Sequence, residues 1–228
     1  MMQPDRTLAR TAGLLYLAMI VGTGWFYGFT MTIVTPGADT ALAKLQASVG
    51  SLQIAILAGV FGLVAFTLLG VWLYRLFRPV DEGVALTLLV LVSVHAVISF
   101  VAVARMMDAL ALVRNPNLAG ANLAGQVLWA VTGFNRLWLL SFVFSGLWLI
   151  PLGWLVYRCG FLPRIVGMTL MLGSVFYVMA FAGWVVDPAY EETLIGRIIG
   201  FGSGFPAVLG ELGACISLLV VGFRRTAA

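Results

Sequence analysis

The chain has 228 residues, 62% of them hydrophobic and 10% charged, with a formal net charge of +4 at pH 7. Soluble domains carry roughly 25% charged residues, so this composition excludes a water-soluble globular domain. The arginines fall in pairs between apolar runs rather than in one basic block, which argues against a nucleic-acid partner and for membrane orientation.

The first apolar run covers about residues 11–34 and follows the basic start "MMQPDRTLAR". It continues past the length of a signal peptide without a small-x-small cleavage pattern, so it reads as a retained span. The segment "DTALAKLQAS" (Asp39–Ser48) reads as an amphipathic helix on the outer surface. Further apolar runs cover about 52–76, 83–108, 134–157, 164–186 and 205–223. Each is near the ~20 residues that cross a bilayer as helix. The expected fold class is all-α: a polytopic transmembrane helical bundle of about six spans, forming one domain over residues 1–228. Cys159 lies at a boundary and Cys215 within the last span, so no disulfide is expected.

The cations sort by side. Arg6, Arg10, Arg75, Arg78, Arg158, Arg164, Arg224 and Arg225 fall on one, and Lys44, Arg114 and Arg197 on the other. Arg105 and Arg136 stand at span ends on that second side. The positive-inside rule then makes both termini cytoplasmic and the acidic loop Asp187–Glu192 external. Two cytoplasmic corners resemble each other, "VWLYRLFRPVDEGV" and "WLVYRCGFLPRIVG", with Tyr74 and Tyr157 in matching places. They suggest a duplicated two-helix hairpin, although any short corner favours arginine, proline and glycine.

"LARTAGLLYL" (Leu8–Leu17), "LYRLFRPV" (Leu73–Val80), "GFLPRIVG" (Gly160–Gly167) and "GE" (Gly210–Glu211) give the chain a resemblance to an uncharacterised bacterial membrane family. That family is catalogued as domain of unknown function 4386. The resemblance runs over nearly the whole chain, in order and with similar spacing. It implies an integral protein of the bacterial cytoplasmic (inner) membrane with about six spans. It carries no activity and assigns no residue a catalytic role.

Familiar catalytic and metal motifs are missing: there is one histidine, and neither HExxH nor CxxC occurs. No metal and no cofactor are expected. "GFGSGFP" (Gly200–Pro206) lacks the strand and lysine of a phosphate-binding loop and reads as a flexible lead into span 6. "GWFYG" (Gly24–Gly28) has the GxxxG spacing of close helix packing.

The informative residues are ionisable groups near the spans, because burying charge in a membrane is costly. At 1.5 Å per residue, Glu211 lies about 20 Å from Arg224, within a ~30 Å core. Arg105 lies about 35 Å from Glu82, and Arg136 about 33 Å from Arg158, which places them and Asp108 at the outer rim. Ala207, Ala214, Cys215 and Gly222 share the face of Glu211 and point it into the bundle. Tyr16, Thr23, Tyr27 and Thr30 fall within about 60° of one another on span 1. Tyr177 and His95 would extend a polar region downward.

Each assignment has a plainer alternative. Arg105 and Arg136 would snorkel to headgroups, Asp108 would pair with Arg105, and Glu211 would be a neutral or bridged packing residue. His95 would bond Ser99, and the hydroxyl stripe would be packing. The candidate ligand-binding set is Arg105, Asp108, Asn135, Arg136, Glu211, Thr23, Tyr27 and Tyr177. The catalytic candidates are Glu211, Asp108 and His95. The expected function is retention of a membrane lipid or lipophilic small molecule in an outward-facing polar cavity. The alternatives are an intramembrane cyclase or isomerase with Glu211 as general acid, or a small transporter or accessory subunit. The sequence sets no oligomeric state.

Overall fold

The computed structural model describes residues 5–33, 38–187 and 189–223, and the side chains of these apart from residues 38, 191 and 204–207. Arg224 and Arg225, used above to orient the chain, lie outside the described residues, as does the side chain of Ala207. Seven α-helices follow in order: α1 (Arg6–Ile33), α2 (Ala38–Ala47), α3 (Val49–Phe77), α4 (Glu82–Arg114), α5 (Leu123–Cys159), α6 (Arg164–Val186) and α7 (Leu194–Phe223). All but α2 are long and apolar enough to cross a membrane. No strand occurs among the described residues.

Short polar side chains start these helices by accepting from the unpaired first-turn amides. Asp5 Oδ1 accepts from the N–H groups of Thr7 and Leu8 at 2.9 and 3.0 Å. Asp81 Oδ1 does the same for Val84, and Asn122 Oδ1 for Gly125, each at 3.0 Å. Thr193 Oγ1 accepts from Gly196 at 3.0 Å.

The last two caps start helices ahead of the expected spans. Helix α5 begins at Leu123 rather than near 134, and α7 at Leu194 rather than near 205. Helix α4 also runs on to Arg114. At 33 and 37 residues, α4 and α5 are about 50 and 55 Å long, well beyond a ~30 Å hydrocarbon core. Helix α7 is continuous through Gly200–Pro206, so the expected flexible lead is helix.

The helices distribute their residues between two compact units. The first comprises the described residues of Met1–Leu17, Phe66–His95 and Leu140–Ala228; the second comprises Ala18–Ala65 and Ala96–Leu139.

In the first unit, Leu69, Leu73, Leu88, Leu149, Leu152 and Leu170 are fully buried. Its two short corners are tied by Phe77 stacking on Phe161, with centroids 6.0 Å apart. Arginines at the helix ends lie over aromatic rings, a favourable contact for a cation: Arg10 over Phe223, Arg75 over Trp72, Arg158 over Trp154 and Arg164 over Tyr157. Helices α5 and α6 cross at a glycine pair. A Cβ on Gly167 would lie 2.5 Å from the Gly153 carbonyl oxygen.

The second unit packs around Phe26, Leu52, Leu63, Met106, Val131 and Phe134. The segment expected to be an amphipathic helix is α2, and its apolar side is real: Ala41 and Leu45 are fully buried. Lys44 Nζ donates to the Thr32 carbonyl at 2.9 Å, satisfying one of the open acceptors at the end of α1.

The glycines that bring helices together here are not those of the GxxxG spacing. A Cβ on Gly22 would meet the Ala58 carbonyl oxygen at 2.6 Å and the Gly62 Cα at 2.8 Å, whereas Gly24 and Gly28 have nothing within 4 Å.

Candidate functional site

Glu211 is reached from the α7 face. Ala214 and Cys215, which share its stripe, are buried. Cys215 Sγ donates to the Gly13 carbonyl of α1 at 3.6 Å. Gly222, two turns further on, lies so close to α1 that a Cβ would stand 2.5 Å from Arg10 Cα. Gly210 and Gly213, on another side of α7, abut Leu170 and Val166 of α6. The small residues expected to share a face with Glu211 thus include two, Cys215 and Gly222, that pack on α1, and Glu211 itself is partly buried.

Opposite it on α1 is Tyr16, whose side chain is 0% exposed. Its hydroxyl is buried without a hydrogen-bond partner among the described residues. Glu211, Cys215 and Tyr177 lie within electrostatic range of it. Aromatic rings continue from there. Tyr16 packs on Trp148 with centroids 6.3 Å apart, Trp148 on Phe66 at 5.4 Å, and Phe66 on His95 at 5.1 Å. Tyr177 packs edge-on to Phe142 at 5.4 Å.

These residues share a level. Tyr16, Phe66, His95, Trp148, Tyr177 and Glu211 each lie about 15–20 Å along their own helices from the corner end of the first unit, near the middle of a ~30 Å core. All six spanning helices contribute one. Pro151 adds another polar feature on α5, because it has no N–H to give the Leu147 carbonyl one residue before Trp148.

Among the described residues, no Arg or Lys comes within 4.0 Å of Glu211. The arginine bridge considered for it is not formed by any described residue. His95 also departs from expectation. Its Nδ1 and the Ser99 hydroxyl are both buried without a partner among the described residues, so the expected bond between them is absent.

The remaining candidates belong to the second unit. Arg105 Nη1 and Asp108 Oδ2 are 3.4 Å apart at i, i+3, with side chains 46% and 58% exposed. Exposed pairs of this kind contribute little. A double-mutant cycle with Arg105→Met and Asp108→Asn should give a coupling of no more than about 1 kcal/mol, read from chemical unfolding in detergent. A larger value would place the pair in a buried network.

Arg136 is exposed and sits over the Trp129 ring at 5.7 Å. That is how an interfacial anchor is built. Asn135 is partly buried. Thr23 and Thr30 donate to their own helix, to the Met19 and Tyr27 carbonyls, at 2.7 and 3.0 Å. Tyr27 stacks on Trp138 at 4.9 Å. The hydroxyl stripe thus divides: its threonines serve the helix backbone, and Tyr16 alone combines full burial with an unsatisfied hydroxyl.

Sequence reasoning missed Trp148, Phe66 and Phe142 as neighbours of the polar cluster. Hydropathy counts such rings as span residues, and their one available signal was a matching depth from the corners.

Six helices of spanning length and apolarity define a multi-pass helical membrane protein. The chain belongs to the family described as "Domain of unknown function (DUF4386)", which matches residues 11–222. It is also similar to a protein of Archaeoglobus fulgidus named "Uncharacterized protein", with 24% identity over 136 residues, 58% of this chain and 70% of that one. No solved structure matches the chain.

Proposed function

We propose that this protein retains a lipophilic or amphiphilic molecule at the mid-membrane level of its first unit. The ligand's polar group meets Glu211 and Tyr16, and its apolar part lies along Trp148 and Phe66. The observation that carries this reading is the Tyr16 hydroxyl, fully buried, without a partner among the described residues, and within electrostatic range of the Glu211 carboxyl group. Leaving a buried donor unsatisfied costs roughly 1–3 kcal/mol, and a bound polar group would remove that cost. The reading places the arginine-rich corners in the cytoplasm of a bacterial cell, by the positive-inside rule. Arg105 and Arg136 then meet anionic headgroups at the outer surface of the inner membrane.

Native mass spectrometry of the purified protein tests the proposal. A co-purifying small molecule should be present in the unaltered protein and lost or strongly reduced in Glu211→Gln and Tyr16→Phe. A protein that carries no such species when released from native membrane, or variants that keep it unchanged, would refute the assignment.

A further inference from the structure

We infer that the ligand is a lipophilic organic cation, an amine or quaternary onium group on an apolar body. This rests on the reading above and specifies its chemistry. Three observations converge on it.

The first is charge. Glu211 is the acidic residue at its level, and no Arg or Lys among the described residues reaches ion-pair distance. Four of the unit's arginines are held elsewhere: Arg10, Arg75, Arg158 and Arg164 lie over Phe223, Trp72, Trp154 and Tyr157 at the helix ends. A carboxylate in a low-dielectric interior needs a compensating positive charge or a proton. Among the described residues no Arg or Lys supplies that charge beside Glu211, and a cationic ligand would supply it in place of the proton. An anionic ligand would instead set like charges together where water does not screen them.

The second is the wall. Around the carboxyl level stand Tyr16, Trp148, Phe66 and Tyr177, with Phe142 packed on Tyr177 further along α5; the interplanar angles of the packed pairs are 53°, 68° and 67°. Ring faces carry the negative part of the aromatic quadrupole and attract onium groups, with tryptophan the strongest. Aliphatic side chains would have served a neutral hydrocarbon equally well.

The third is the unsatisfied phenol. Tyr16 offers an acceptor oxygen as well as a donor. It can therefore receive an ammonium N–H or hold the Glu211 carboxylate in place beside an onium centre that has no N–H.

The test uses the full chain in lipid nanodiscs and three probes of similar shape: tetraphenylphosphonium, tetraphenylborate and neutral triphenylphosphine oxide. Binding is measured by equilibrium dialysis against empty nanodiscs, which removes simple partitioning. The cation should bind at least about tenfold more tightly than the neutral probe, and the anion should show no saturable binding. Glu211→Gln should erase the cation's advantage over the neutral probe, while Glu211→Asp, which keeps the charge, should retain a preference. Equal binding of cation and neutral probe by the unaltered protein would overturn the inference and leave the lipophile site standing. The comparison of probes on the native chain decides this even where Glu211→Gln does not fold. Saturable binding of none of the three would count against the site itself.

Discussion

Replacing Gly22 with leucine should destabilise the protein by about 3 kcal/mol, whereas the same replacement at Gly24, two residues away, should change its stability by less than about 0.5 kcal/mol. The difference follows from what each position faces. A Cβ at Gly22 would stand 2.6 Å from a backbone oxygen of α3 and 2.8 Å from the Gly62 Cα, and neither is the end of a flexible side chain. Relief would require the two helices to separate, with loss of the contacts around Phe26, Leu52 and Leu63. Gly24 has nothing within 4 Å and is exposed. Unfolding in a denaturing detergent titration, followed by tryptophan fluorescence, measures both. Equal effects at the two positions would return the packing role to the GxxxG pair.

Replacing Glu211 with leucine should have the opposite sign for stability and abolish ligand retention. A partly buried carboxyl with no cation within 4.0 Å among the described residues is a cost to the empty protein. Exchanging it for an apolar side chain of similar volume should recover roughly 1–3 kcal/mol. The expected result is a higher thermal midpoint for Glu211→Leu after ligand is stripped by exhaustive detergent washing, with no ligand-dependent rise when probe is restored. A lower midpoint would make Glu211 a packing residue. Stability conceded at a functional site is a common trade.

Much of this architecture was legible in the sequence because a membrane helix writes its period and length plainly. The small residues at Ala214, Cys215 and Gly222 marked a side of α7 that faces the bundle, since close helix approach in a membrane leaves little room for larger side chains; that its partner is α1 was not legible. The beginnings of α5 and α7 were missed for an equally physical reason. Hydropathy finds where a helix is buried in lipid, whereas Asn122 and Thr193 determine where it starts, in polar surroundings, by capping amides. The GxxxG spacing misled because spacing alone does not tell which side of a helix has a neighbour. Nor did it show the aromatic neighbours of Tyr16 and His95: Trp148 and Phe66 come from helices far apart in the chain, and only the folded packing brings them together.

Lys44 carries the one side-chain amine in the chain, bonded to the Thr32 carbonyl at the end of α1. An amine-reactive ester that cannot cross the bilayer therefore has a single internal target. Labelling of intact cells or of inverted vesicles, located by peptide mapping, reports directly on which compartment that end of α1 faces. The same acylation removes the amine's charge and so its hydrogen bond to the Thr32 carbonyl.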